Sequence, residues 1–285
     1  MMAVQRAHYI VLAVPTILLL LGLAHQHDRV RDTIQNAWNG KEALATPPLS
    51  SSLKGPPTAL TPPSTGSDGP ASFHDIGDKY GTDKVKERNY WFLYDKYLPP
   101  IRNQRVKMLE IGLGCDMADG PGASYYTWLE YFSHVELYYI ESDAECARKW
   151  AAKTTGAKIY VGGLADKSFL HTFIDETGGE FDLVIDGGGH RMSQQMTLLE
   201  MLWKIIKPGG MYFVEDLETS YVDRLGGDQS GGKDSKIKTM AKYIYELMDD
   251  MFQADGAKHT IGMHMRGIEC QRQICVFVKK DMSVI

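Results

Sequence analysis

Short apolar runs alternate with amphipathic stretches along the last three quarters of the chain. Residues 106–111, 135–140, 157–161, 181–186 and 211–215 are nearly continuous in apolar character and end at Gly, Pro or charged residues, the pattern of strands buried on both faces. Between them the apolar positions recur at helical spacing. This predicts helices over about 86–99, 123–132, 143–152, 166–175 and 191–206, with another over about 234–253. Pro99-Pro100 ends the first helix, and Pro208-Gly209-Gly210 turns the chain into strand 211–215. Strands near 259–268 and 272–279 close the chain, and the short turn between them lets one run antiparallel. The alternation predicts an α/β fold, a Rossmann-like, doubly wound and mostly parallel sheet with helices on both faces.

The most informative junction is Leu109-Glu110-Ile111-Gly112-Leu113-Gly114. Glycine lets backbone approach a ligand closely and permits a sharp turn off a buried strand. Strand 135–140 then ends in Glu141, where a carboxylate can accept hydrogen bonds from the two hydroxyls of a ribose. A dinucleotide fingerprint wants a third glycine where Met117 stands, with a helix N-terminus at hand for a pyrophosphate. Here the helix begins only after Asp119-Gly120-Pro121-Gly122, and no Walker lysine is present. A nucleoside cofactor without phosphates fits better than NAD, and S-adenosylmethionine is the leading candidate. Its amino acid end would meet Gly112 and Gly114, its ribose Glu141, and its adenine the loop near Asp166.

The N-terminal quarter has a different character. Residues 9–24 carry no charge and follow Arg6. As a helix they would cover about 24 Å, short of the roughly 30 Å hydrocarbon core but workable in a thin membrane. A signal anchor is the reading adopted, with a cleaved signal peptide as the alternative because Gly22-Leu23-Ala24 has a small-x-small pattern. The Pro-, Ser- and Thr-rich composition of residues 46–72 predicts a stalk. The organisation expected is a tail over 1–8, the anchor over 9–24, a linker over 25–71 and a folded domain over 72–285, in a single-pass protein of the secretory pathway. A net charge of −5 and scattered Lys and Arg give no support to a nucleic-acid partner. Cys115, Cys146, Cys270 and Cys275 include no CxxC pair and read as reduced, partly buried thiols; Cys270 and Cys275 would face opposite sides of one strand unless a turn intervened.

From about Tyr80 onward the chain resembles class I S-adenosylmethionine-dependent methyltransferases, and more narrowly the sugar O-methyltransferases of the macrocin and mycinamicin type with their fungal relatives. The resemblance rests on Gly81-Thr82-Asp83-Lys84, the Gly112/Gly114 turn, Gly122-Ala123-Ser124 with Trp128, and Asp186-Gly187-Gly188-Gly189-His190. Lys207-Pro208-Gly209-Gly210 and Glu215-Asp216-Leu217-Glu218-Thr219-Ser220-Tyr221 complete it. It implies methyl transfer to a hydroxyl of a glycan or small metabolite, with His190 as general base and Glu215 and Asp216 as ligands of a magnesium ion. It also implies that Thr82, Lys84, Glu110, Gly112, Gly114, Glu141, Asp166 and Asp186 hold the cofactor.

Two positions depart from the family pattern. Gly187 stands where the family's Asp-Asp-Gly-Ser-His motif has a metal-binding aspartate, and Gly163 replaces another acid. The first predicts a weakened, metal-optional or altered metal site, and opens a second reading in which the fold is kept for binding or scaffolding. The glycine-rich stretch 225–232 reads as a mobile lid over the acceptor.

Overall fold

The computed structural model describes residues 69–281 other than 116, 118–120 and 254. The expected tail, membrane helix and nearly all of the linker lie outside the described residues. Among the described residues no helix is long and apolar enough to cross a membrane.

Seven strands form one sheet: β1 (Arg105–Ile111), β2 (His134–Glu141), β3 (Ala157–Val161), β4 (Phe181–Asp186), β5 (Ile206–Val214), β6 (Met265–Gln271) and β7 (Ile274–Lys279). Their order is β3-β2-β1-β4-β5-β7-β6. The first five run parallel, and β7 is antiparallel to both β5 and β6. The chain winds outward from β1 in both directions, so the crevice between the ends of β1 and β4 is the topological switch point where such sheets bind ligands.

Alternate residues of each strand bury on opposite faces, as a period of two requires. Leu109, Tyr138, Val184 and Tyr212 pack under α6 (Lys167–Thr177), α7 (Met192–Leu202) and α8 (Met240–Phe252). In this chain-order numbering α1 is Phe73–Tyr80, α2 Asp83–Lys86, α3 Trp91–Tyr97, α4 Ala123–Tyr131, α5 Ala144–Trp150 and α9 Thr260–His264. Met108, Tyr139, Leu183, Ile185 and Phe213 pack on the other face with α1, α3 and α4. Tyr138, Tyr139 and Trp128 are core residues.

The departures from the predicted elements have local causes. Helix α1 was missed although its signal was legible: Ser72 and Asp75 form a reciprocal capping box. The helix predicted over 86–99 is shorter, α3 over Trp91–Tyr97, because the chain leaves α2 at Lys86 and Asn89 adopts a left-handed backbone (φ 57°) before α3 begins. Pro208-Gly209-Gly210 lies inside β5 as an irregularity in its pairing with β4 rather than before the strand. The segment predicted as strand from 259 begins as α9. In the segment read as a lid, the buried Asp228 carboxylate accepts hydrogen bonds from Ser230 and the Asp234 amide, and pairs with Lys242 Nζ at 2.7 Å.

The reading of the cysteines as free thiols is corrected. Cys115 bonds to Cys146, and Cys270 bonds to Cys275. Arg272 and Gln273 make the intervening turn, Gln273 in the left-handed region, which sets Cys270 directly opposite Cys275 in the β6–β7 ladder. Non-reducing digestion followed by mass spectrometry is expected to recover these two linkages and no free thiol; alkylation of any of the four cysteines without prior reduction would contradict it.

Candidate functional site

The carboxyl ends of β1, β2, β4 and β5 converge on the switch point, and each contributes an acid there. Gly112 has φ 93°, and a Cβ on it would stand 2.9 Å from the Gly188 Cα. Only glycine lets the loops after β1 and β4 approach this closely. Glu141, buried at the end of β2, accepts from the Leu113 amide on Oε2 and from the Asp143 amide on Oε1, each at 2.8 Å. Ser142 Oγ also donates to Oε1, at 3.3 Å, so the open acceptor capacity lies on Oε2. A buried carboxylate with a free acceptor position at this strand end fits a ribose hydroxyl.

The remaining expected cofactor residues are placed as follows. Glu110 accepts from Ser124 Oγ and from Trp128 Nε1 at 2.9 Å, which ties β1 to α4. Asp166 is the N-cap of α6, bonded to the Ser168 and Phe169 amides. Asp186 is buried and accepts from the Gly189 amide (3.0 Å) and Tyr212 OH (3.2 Å); burial pushes its carboxyl up to about 7. It holds the 187–190 turn in shape. Gly114 has φ 83°, and Thr82 is buried just before α2.

Lys84 is brought deepest into the acids. Its Nζ lies 2.5 Å from Glu215 Oε2 and 3.3 Å from Glu110 Oε1, with all three side chains buried. Burial alone would lower the ammonium pKa, but the two carboxylates outweigh it and the net direction is upward. Burial pushes Glu215 up to about 7 while Lys84 pulls against it. Tyr94 OH donates to the other Glu215 oxygen, and Gln195 Nε2 donates to the Glu215 carbonyl.

The next residue points elsewhere. Asp216 adopts a left-handed backbone (φ 54°), which an aspartate tolerates better than most residues. Its Oδ2 lies 3.2 Å from His190 Nε2, and its Oδ1 accepts from Tyr90 OH at 2.8 Å with an Arg88 guanidinium nitrogen 3.5 Å away. Burial would raise Asp216, but the bonds to His190 and Tyr90 and the nearby Arg88 hold it below the usual range. The same bond raises the His190 pKa, against a smaller opposing effect of burial. His190 and Asp216 thus form an acid–base dyad with the imidazole half open to solvent. Sequence reasoning missed Arg88 and Tyr94. Their signal was spacing: Lys84, Arg88, Tyr90 and Tyr94 fall within eleven residues, and the break at Asn89 brings them to one crevice.

A magnesium ion prefers near-octahedral oxygen ligation. The four carboxylate oxygens of Glu215 and Asp216 already face Lys84, Tyr94, Tyr90 and His190, and Gly187 supplies no ligand. Among the described residues no group of three His, Cys, Asp or Glu side chains could hold a metal. These residues as arranged do not fit the ion.

The relatives agree with the fold. No protein-family model matches the chain. It is 30% identical over 216 residues to demethylmacrocin O-methyltransferase of Streptomyces fradiae, covering 69% of this chain and 53% of that protein. It is 29% identical over 188 residues to mycinamicin VI 2''-O-methyltransferase of Micromonospora griseorubida, covering 62% and 46%. Among solved structures, MycE methyltransferase from the mycinamycin biosynthetic pathway, in complex with Mg, SAH and mycinamycin VI, superposes with a TM-score of 0.64 at 25% identity, covering 74% of this chain and 55% of that one. The chain therefore has the class I methyltransferase fold, and it is a relative of the macrocin- and mycinamicin-type sugar O-methyltransferases. It spans about half the length of those relatives.

Removing the carboxylate partner should be read directly in the imidazole. Asp216→Asn is expected to lower the His190 titration midpoint relative to wild type, followed by NMR of the ring protons. Because the folded value lies above that of a free imidazole, the stability it contributes is complete below about pH 6.5 and is lost as pH rises through the raised folded value. Equal midpoints in the two proteins would contradict the dyad.

Proposed function

We propose that this protein transfers a methyl group from S-adenosylmethionine to a hydroxyl of a sugar, on a glycan or a glycosylated small molecule. The observation that carries the reading is the His190–Asp216 dyad beside the glycine-lined switch point, with Glu141 oriented for a ribose on the neighbouring strand. The relatives' activity on sugar-bearing natural products supports the acceptor class. When bound, S-adenosylmethionine supplies an already activated methyl group, so the protein's task is to orient the acceptor and remove its proton.

The residues suit that task. Asp216 holds the His190 ring through Nε2, a backbone interaction with Gly187 also favours its charged form, and the half-exposed imidazole would take the acceptor hydroxyl's proton. The raised pKa makes the imidazole a stronger base, and Asp216 stabilises the imidazolium that forms. Glu141 would fix the ribose, and the bare backbone at Gly112 and Gly114 would admit the amino acid end. Glu110, Asp166 and Asp186 shape the loops around them.

Calorimetry with S-adenosylhomocysteine is the direct test. Glu141→Ala should weaken binding about tenfold or more, the usual worth of hydrogen bonds to a charged group. His190→Ala should leave that affinity within about twofold and lower kcat by about 10²–10⁴ on a glycosylated acceptor. Wild-type binding with no turnover on any sugar would return the protein to the binding or scaffolding reading.

We further propose a lumenal domain carried on an N-terminal anchor and stalk. The uncharged segment 9–24 and the two disulfides support this, since disulfides persist in oxidising compartments. In isolated microsomes the folded domain should resist added protease until detergent is present; digestion without detergent would place it on the cytosolic side.

A further inference from the structure

Gly187 does more than omit a ligand. A Cβ built there would stand 2.4 Å from Glu215 Oε2 and 3.4 Å from Lys84 Nζ. The Glu215–Lys84 pair therefore lies in the room that a side chain at position 187 would occupy. The missing side chain and the buried ion pair are two halves of one arrangement: the space a third carboxylate would need is filled by a carboxylate already matched to an ammonium.

Charge points the same way. Glu110, Glu215 and Asp216 bring three carboxyls to the ends of β1 and β5. Lys84 sits between the first two, and Arg88 and His190 flank the third. A divalent ion at Glu215 would have to displace Lys84 or stand against its ammonium, and displacement would leave a buried lysine without its closest partner. We infer that the Lys84 ammonium is the resident cation of this crevice, that it holds Glu215 in place, and that the site takes no divalent metal. On this inference, which rests on the methyltransferase reading of the crevice, Lys84 is a positioning residue. The acceptor is then oriented by hydrogen bonds around His190 and Asp216 rather than by chelation.

The test uses the full chain with its disulfides intact. Wild type is titrated with MgCl2 by calorimetry and with MnCl2 by electron paramagnetic resonance, and S-adenosylhomocysteine affinity is measured with magnesium and with EDTA. The expected result is no stoichiometric metal binding and a nucleoside affinity equal in the two conditions within about twofold. One-to-one metal binding with a Kd of about 100 μM or tighter would overturn the inference.

Variants probe the same space from the other side. Gly187→Asp is expected to lower Tm and gain no metal affinity, because its side chain meets Glu215. The double variant Lys84→Met with Gly187→Asp is expected to bind Mn at least about tenfold more tightly than wild type, the ammonium having made way for a carboxylate. Metal binding by Gly187→Asp alone at wild-type Tm would overturn the inference, since it would show the space to be open. If the double variant does not fold, the wild-type titration decides the question by itself. Failure of the nucleoside to bind wild type in either condition would overturn the reading of the crevice and the positioning role with it; metal binding alongside nucleoside binding overturns only the resident cation.

Discussion

A positive charge carried into the carboxyl end of the sheet governs the arrangement of this site. Lys84 belongs to a four-residue helix that precedes the first strand, yet its ammonium lies between the tips of β1 and β5. Three buried ionisable groups in one place are costly unless they are matched. Removing one partner of such a pair typically costs about 3–5 kcal/mol, because the other charge is left stranded. The pairing therefore fixes how the segment before the sheet docks on it. That docking brings Tyr90 and Tyr94 onto Asp216 and Glu215, and with them the orientation of the His190 dyad.

The crevice is also braced on its other side. The Cys115–Cys146 disulfide joins the loop after β1 to the helix after β2, the two elements that flank Glu141. Glu141 itself spans the same gap through the Leu113 and Asp143 amides. A covalent bond and a carboxylate thus hold the same two loops, one in which bare backbone at Gly112 meets bare backbone at Gly188. Shape at the switch point comes from absence of side chains, and charge comes from strand tips that the sheet brings together.

Against the relatives, the shared part is the fold, over about half of their length. At Gly187, where the resemblance led one to expect an aspartate, Glu215 and Lys84 lie in the space a side chain would take. The His190–Asp216 pair is built from the 187–190 turn, which begins at Gly187, and a left-handed Asp216 beyond the end of β5.

Much of this was legible along the chain. Strand periodicity located β1 to β4 within a residue or so, Gly112 and Glu141 stood out from their places at strand ends, and His190, Glu215 and Asp216 from the family resemblance. These features are local: period, turn chemistry and the residue that ends an apolar run are written in neighbouring positions. What the tertiary structure alone decided is which distant groups share a charge. That Lys84 faces Glu215 across 131 positions, that a two-residue turn sets Cys270 opposite Cys275, and that Asp216 turns away from Glu215 toward His190 all follow from packing. Such pairings depend on how the elements dock and on which buried charges must be neutralised together, and no spacing along the chain encodes that.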